Sequence, residues 1–423
     1  MDAVRQWARR RPWRALAAGG AGLFFLSFVL VHFGPLAKGQ ISDTWLYQKA
    51  GDAIVHHGEV PYRDFSFEYP PGALPTFVVP SLAEPVTYAR SFQLEMLVCG
   101  LAAVLAAAAA LRAAGAEPRK AALALGTIGL SPLLVGPLIL SRFDLWPAAL
   151  TAIFVAALAR ERDRAGAVVL GLAVAAKLYA AALLPLAAID VWRRRGAAAA
   201  ARFCGISVAV TAVVFLPFVV LSPSGVALPF SRQLHRPLQV ESLGSAILIA
   251  AHQLAGLHVR SYGYMGSDNL AAHGAHAAAV ASSVLGLLGV AAVCAAFARG
   301  PGSRRRFCLA AAATVALLVA FDKVLSPQYM LWLVPLVPLA VMSRRGRLAL
   351  LLLAFVLALT QTWYPRHYIE MADRYHEPET WLLLVRDLFL VGLGGSLAAA
   401  LLRRRQVPVP ATRRVAEPAS TRG

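Results

Sequence analysis

Residues 160–195 read RERDRAGAVVLGLAVAAKLYAAALLPLAAIDVWRRR, an apolar run between two clusters of charged, mainly basic side chains. The apolar part, 166–191, is longer than the roughly 20 residues that cross a bilayer as one helix. Basic clusters favour the cytoplasmic side, and a single span would put the two flanks on opposite sides. We therefore predict that the run enters the membrane and returns as two half-helices, with Lys177 near the tip and protein or water around the break.

The composition indicates a membrane protein throughout. Of the 423 residues, 58% are hydrophobic and only 15% are charged, and the mean hydropathy is +0.61. Soluble domains average about a quarter charged residues. A net charge of +19 could indicate nucleic-acid binding, but most of the Arg residues lie in short clusters between apolar runs, as the positive-inside rule predicts. We expect an all-α integral membrane protein with the bilayer as a partner and no nucleic acid.

The other apolar runs predict about ten full spans in addition to the broken pair. These runs lie at 15–34, 92–111, 121–140, 145–159, 203–222, 271–298, 307–321, 328–343, 348–363 and 381–402. The first could be a cleaved signal peptide, but no small-residue cleavage site follows it, and we interpret it as a retained helix.

With the basic links in the cytoplasm, both termini are cytoplasmic and the longer polar segments lie outside. The predicted outer loops are 35–90, 223–270 and 364–380. We expect one membrane domain, 1–405, followed by a disordered cytoplasmic tail, 406–423, whose sequence is polar and rich in Pro.

The first outer loop contains groups that a connector does not require. Residues 42–72 read SDTWLYQKAGDAIVHHGEVPYRDFSFEYPPG and include five carboxylates. An interfacial aromatic belt explains Phe65 and Phe67. It explains Asp43 less well, because a carboxylate at the membrane surface between the apolar residues Ile41 and Trp45 needs a reason, and we expect it to be functional. Tyr47 follows four positions later, on the same face if the segment is helical.

Three further segments carry charges beside apolar runs. LILSRFDLWP contains Arg142 and Asp144, VAAKLYAAALLP contains Lys177, and AFDKVLSPQYMLWLVP contains Asp322 and Lys323. A lysine at membrane depth costs a few kcal/mol, so Lys177 either snorkels or points into an outer cavity. Cations at separate places suggest a phosphate-bearing ligand. The alternatives are a boundary ion pair and a solvated link.

The chain contains no nucleotide-binding or hydrolase motif in a usable context. Its four cysteines lie inside or at the edges of apolar runs and have no CxxC spacing, so we interpret them as core residues rather than ligands. If the protein is an enzyme, its activated substrate would therefore have to reach it within the membrane. Nothing in the sequence requires a cofactor, and a divalent ion held by Asp43 and a phosphate stays an alternative.

At these segments the chain resembles a known family. Residues 42–72 resemble the first outer loop of glycosyltransferase family 87, in which an Asp, a Tyr four residues later, a Gly-x-x-Pro-Tyr and a Tyr-Pro-Pro recur in this order. SRFDLWPAAL, GLAVAAKLYAAALLP and DKVLSPQYMLWLVP are similar to further family segments. Many members carry a paired His near Ser326–Tyr329, where this chain has Gln328 and Tyr329.

The resemblance implies a GT-C fold, which is a multi-span helical bundle with an outward-facing cavity. It implies a polyprenyl-phosphate sugar donor, commonly of mannose, and Asp43 as the catalytic carboxylate. The residues expected to bind the donor phosphate or the substrates are Arg142, Lys177, Lys323, Tyr47, Tyr69, Asp144, Tyr179, Gln328 and Tyr329.

The resulting hypothesis is a plasma-membrane mannosyltransferase of cell-envelope biosynthesis, with Asp43 as general base of an inverting displacement on the extracytoplasmic face. The acceptor would be a hydroxyl of a glycolipid or glycan. A transporter or lipid flippase is the alternative, and it would need polar residues that reach both faces. A third interpretation is a membrane protein with a purely structural role, but this role would not explain the buried Lys177 or the carboxylates of the outer loops.

Overall fold

The computed structural model describes residues 12–35, 42–83, 86–264 and 266–402. The basic start of the chain and the tail predicted to be disordered, 406–423, lie outside these residues. The first half contains α1 (Pro12–Phe33), α2 (Thr44–Val55), α3 (Pro75–Ser81), α4 (Tyr88–Ala113), α5 (Pro118–Val135), α6 (Leu138–Ser141), α7 (Leu145–Ala159), α8 (Asp163–Ala176) and α9 (Leu184–Arg195).

The described residues of the second half contain helices and one β-hairpin. It contains α10 (Ala197–Leu221), α11 (Pro223–His235), α12 (Leu243–Ala255), β1 (Val259–Tyr264), β2 (Ser267–Ala272), α13 (Ala275–Arg299), α14 (Arg304–Ala320), α15 (Met330–Leu333), α16 (Gly346–Trp363), α17 (Tyr368–Ala372) and α18 (Glu377–Leu402). Within the described residues, six helices are long and apolar enough to cross a membrane: α1, α4, α10, α13, α16 and α18. The expected all-α membrane class is confirmed.

The helix break at Lys177 is present. Helix α8 ends at Ala176, and Lys177 is extended, with φ −160° and ψ 129°. A 3₁₀ segment, Leu178–Leu183, then leads into α9. The far ends of the run meet, because Arg195 Nε lies 2.7 Å from a carboxylate oxygen of Asp163. The chain therefore returns to the side from which it came, as its basic flanks predict.

Two other runs, predicted as single spans, are divided. The run 121–140 stops at Gly136, whose φ of +64° ends α5, and continues as α6. The run 328–343 consists of α15 between two 3₁₀ segments, Pro327–Tyr329 and Val337–Met342. Pro335 and Pro338 lie within this run, and proline disrupts an α-helix because it lacks the backbone N–H. Continuous spans are therefore fewer here than we expected.

The core of the bundle is formed by buried apolar side chains of the packed helices, with many alanines among larger Phe, Leu and Val residues. Helix α1 packs against α4 and α5, α7 packs between α4 and α8, and α18 packs against α14 and α16. A Cβ on Gly72 would lie 2.5 Å from the Ala175 carbonyl carbon. The Gly72 carbonyl also accepts a hydrogen bond from Trp146 Nε1 at 2.9 Å. These contacts fix the first polar loop against the helix break at Lys177.

The basic clusters 160–164, 193–195 and 304–306 gather at one end of the bundle, which we call the basic end. Arg304 pairs with Glu161 at 2.5 Å, and Arg194 pairs with Asp163 at 2.8 Å. Helices α7, α8 and α14 each run between this end and the opposite one, where Asp144, Lys177 and Asp322 lie. We call the opposite end the cavity end.

The polar loops contain more regular structure than the sequence analysis predicted. Helices α2 and α3 occupy the first loop, and α11, α12 and the hairpin lie at or near 223–270. Strands β1 and β2 are antiparallel, with Val259 paired to Ala272 and Tyr264 paired to Ser267. Gln239 adds a bridge to Asn269 of β2. The loops thus form a folded cap at the cavity end.

Candidate active site

Asp43 lies at the N-terminus of α2, where its backbone carbonyl accepts from the amides of Leu46 and Tyr47. Its side chain makes no capping bond and instead forms an ion pair with Arg142. Arg142 follows α6 in extended conformation and is 5% exposed. Its Nη2 also donates to the Tyr364 hydroxyl at 2.7 Å. Arg142 is therefore held between Asp43 and the start of the predicted outer segment 364–380.

A second ion pair lies beside the first. Lys177 Nζ donates to Asp144 Oδ1 at 2.6 Å, and Trp332 Nε1 donates to the same oxygen at 2.7 Å. Asp144 is 1% exposed. Lys177 Nζ also lies 4.6 Å from the centre of the Phe143 ring, in the range of a cation–π contact. The lysine is therefore compensated locally and does not reach for a distant surface.

Aromatic rings stack behind the lysine. The Trp332 ring lies between those of Tyr179 and Tyr329, with both centroid distances at 4.0 Å. The Tyr179 hydroxyl is bonded to Thr151 of α7 at 2.9 Å. The stack gives one wall of the site a rigid apolar face.

A cavity of about 410 Å³ opens in front of these groups. The residues lining it that matter to the chemistry are Asp43, Glu68, Tyr69, Lys177, Tyr179, Arg232, Arg236, Gln239, Asp322, Gln328, Tyr329 and Trp332. Ligand sites in proteins are typically clefts of this size, with aromatic walls and a few convergent polar groups.

Most of the residues predicted for the site come together here. Arg142 and Asp144 lie directly behind the lining through their ion pairs. Tyr47 is buried and stacks on Phe77, with its ring 5.9 Å from that of Tyr69. Tyr47 thus supports Tyr69 from behind.

Lys323 lies elsewhere. Its Nζ donates to the Leu234 carbonyl at 2.9 Å, and it lines a separate cavity of about 600 Å³. The backbone carbonyl of Lys323 accepts from the Gln239 amide at 2.9 Å. The side chain and the main chain of this residue therefore face different surroundings.

Two cations of the cavity were not predicted from the sequence. Arg232 and Arg236 come from α11 and the turn that follows it, and both line the cavity. Arg236 Nη2 lies 3.8 Å from Glu68 Oε2. The signal that could have found them is FSRQLHRP, residues 230–237, in which two arginines lie four positions apart and the second directly precedes a proline.

A buried carboxyl supports the cap. Glu241 is 2% exposed and accepts from Gln239 Nε2 at 2.5 Å. Burial raises the pKa of Glu241 to about 8, against the opposing charge of Arg386. Arg386 Nη2 donates to the Glu241 carbonyl at 2.9 Å. Since Gln239 lines the cavity, this network connects the cavity wall to α18.

The described residues include no group of three His, Cys, Asp or Glu side chains arranged to hold a metal ion. His56, His57, His367 and His376 belong to no such group.

The model of glycosyltransferase family 87 matches residues 67–327, which is more than half of the chain. The protein belongs to glycosyltransferase family 87. The match includes Arg142, Asp144 and Lys177 and begins after Asp43.

Among solved structures, the chain is similar to the crystal structure of ArnT from Cupriavidus metallidurans bound to undecaprenyl phosphate. The identity is 16% and the TM-score is 0.48, over 93% of this chain and 77% of that chain. No curated protein matches the chain.

Proposed function

We propose that the protein transfers mannose from a polyprenyl-phosphate donor to a hydroxyl of a cell-envelope glycolipid or glycan. The observation that carries this proposal is the juxtaposition of Asp43 and three cations, Lys177, Arg232 and Arg236, around one cavity. A transfer of this kind needs a carboxylate to accept a proton and cations to receive a phosphate. Membership of the glycosyltransferase family supplies the reaction class.

Asp43 acts as the general base. Asp43 takes the proton of the acceptor hydroxyl while the hydroxyl oxygen attacks the anomeric carbon of the donor sugar. In the same step, the bond between that carbon and the oxygen of the polyprenyl phosphate breaks. General-base assistance is typically worth about 10²–10⁴ in rate. The Arg142 ion pair favours the ionised carboxylate and fixes its direction. We therefore assign Arg142 to positioning Asp43 rather than to binding phosphate.

The leaving phosphate is received by Lys177, Arg232 and Arg236. Arginine binds phosphate oxygens in bidentate fashion, and lysine acts as a point charge. Asp144 holds the Lys177 ammonium at 2.6 Å and so fixes it at the cavity wall. Stabilising negative charge that develops in a water-poor site is usually the largest catalytic term.

A single displacement inverts the configuration at the anomeric carbon, so a β-linked donor gives an α-glycoside. The aromatic stack of Tyr179, Trp332 and Tyr329 lines the cavity and offers apolar contacts to the sugar. The positive-inside rule puts the basic end in the cytoplasm, and we propose accordingly that the cavity opens on the extracytoplasmic face of the plasma membrane.

The test is Asp43→Asn in purified protein reconstituted in vesicles with radiolabelled polyprenyl-phosphate mannose and a membrane lipid extract as acceptor. We expect labelled product to form about 10²–10⁴ times more slowly. The matched control is Asp64→Asn in the same loop, an exposed carboxylate paired with its neighbour Arg63 at 2.8 Å.

A rate for Asp43→Asn within about tenfold of wild type would exclude Asp43 as the base. If the wild-type protein moved labelled lipid or sugar across the vesicle membrane without forming product, the flippase or transporter alternative would replace this proposal.

A further inference from the structure

A cleft at the basic end lies at the opposite end of the bundle from the Asp43 cavity, and the residues that line the two do not overlap. It has a volume of about 580 Å³ and lies between the start of α8 and the first turns of α10. Arg162, Arg164 and Arg202 line its rim, and Phe203 and Ile206 line its apolar side. The cleft is therefore cationic at one side and apolar at the other.

The acidic residues of this cleft are already paired. Glu161 pairs with Arg304 at 2.5 Å, and Asp163 pairs with Arg194 and Arg195 at 2.8 and 2.7 Å.

Within the described ranges, by contrast, Arg162, Arg164 and Arg202 form no ion pair with a carboxylate. Three guanidinium groups thus surround one cleft with no opposing charge of their own. Such an arrangement attracts an anion, and guanidinium groups match the oxygens of phosphate.

The helix beside the cleft indicates the kind of anion. Helix α10 is apolar and little covered by the rest of the chain, since Val213, Leu216 and Val220 are 67%, 57% and 71% exposed. In a membrane this surface contacts acyl chains. Ser207 Oγ of α10 donates to the Ala167 carbonyl of α8 at 3.0 Å. The cleft thus lies where a lipid-facing helix pair reaches the basic end.

We propose that this cleft binds the phosphate headgroup of an anionic membrane phospholipid, with its acyl chains along α10. Basic pockets between membrane helices on the cytoplasmic side suit such headgroups. The charge of the rim selects an anionic lipid over a zwitterionic one, and the apolar side selects a lipid over free phosphate. The site is independent of the proposed transfer reaction.

The experiment compares binding of phosphatidylglycerol and phosphatidylcholine to the detergent-purified protein by native mass spectrometry. We expect the wild type to retain phosphatidylglycerol preferentially. The triple variant Arg162→Gln, Arg164→Gln and Arg202→Gln should need about tenfold or more lipid for the same occupancy. The matched control is Arg112→Gln, Arg119→Gln and Arg299→Gln, which removes the same charge from residues that do not line the cleft.

Equal losses in the two triple variants would overturn the proposal, because net charge alone would then explain binding. Displacement of phosphatidylglycerol by millimolar inorganic phosphate would identify an anion site rather than a lipid site and would also overturn it.

A second measurement uses only the wild-type protein and therefore tests the proposal even if the triple variant does not fold. A photoactivatable phosphatidylglycerol is bound to the wild-type protein and crosslinked. Crosslinks concentrated in peptides that contain Arg164 or Phe203 support the site. Crosslinks spread evenly over the lipid-facing helices α1, α10 and α13 contradict it.

Discussion

Both ends of the bundle hold pairs of opposite charges, but in different surroundings. At the cavity end, Lys177 and Asp144 are 15% and 1% exposed. At the basic end, Arg304 and Glu161 are 48% and 43% exposed. Exposed pairs contribute roughly 0–1 kcal/mol, whereas removing one partner of a buried pair costs about 3–5 kcal/mol. Thus similar residue types form an exposed pair at the basic end and a buried pair in the candidate active site at the cavity end.

The largest expected effect comes from breaking the buried pair. Asp144→Ala leaves Lys177 and Trp332 Nε1 without the acceptor that both now use. We expect a loss of about 3–5 kcal/mol in stability, together with loss of transfer activity. Thermal unfolding in detergent measures the first and the vesicle assay measures the second.

The matched variant at the basic end is Glu161→Ala, which removes the partner of Arg304. We expect it to cost less than about 1 kcal/mol. Similar losses of stability for Asp144→Ala and Glu161→Ala would mean that burial does not make the pair at the cavity end more important for stability than the pair at the basic end.

A smaller effect concerns the buried carboxyl of the cap. Burial raises the pKa of Glu241 to about 8, so the folded state keeps a proton that the unfolded chain releases near pH 4.5. This contribution to stability is complete below the unfolded pKa and is lost as pH rises through the folded one.

We therefore expect the unfolding temperature to fall by a few degrees between about pH 5 and pH 8. Glu241→Gln keeps the shape and cannot ionise, so its unfolding temperature should vary less over that range. If the unfolding temperature of Glu241→Gln fell with pH as steeply as that of the wild type, another group would cause the pH dependence.

The smallest expected effect is a difference in donor binding between variants of two cations, Arg236 and Lys323. Arg236 lines the cavity and Lys323 does not. We expect Arg236→Met to weaken donor binding about tenfold, the effect of losing one charged contact to phosphate. Lys323→Met should change KM for the donor by less than about twofold. Steady-state kinetics with varied donor checks both, and the reverse order would return the phosphate site to Lys323.

The helix break at Lys177 could be predicted because charge and length act locally along the chain. A run too long for one span, with arginines on both flanks, has few ways to lie in a membrane. The division of the run 328–343 into short helical segments could also have been predicted, since Pro335 and Pro338 interrupt it. Mean hydropathy alone does not reveal this division. In contrast, nothing local indicated that the polar segment 223–270 folds into α11, α12 and a hairpin.

By itself, the sequence determined that the chain is a helical membrane protein, where its apolar runs lie, and which charged residues cannot face lipid. These properties follow from the transfer free energy of side chains and from basic flanks, which act residue by residue. Only the tertiary structure decided that Arg142 pairs with Asp43, that Arg236 reaches the cavity, and that Lys323 does not. Such pairings join residues about a hundred positions apart, and they depend on how helices and loops pack, which no local pattern encodes.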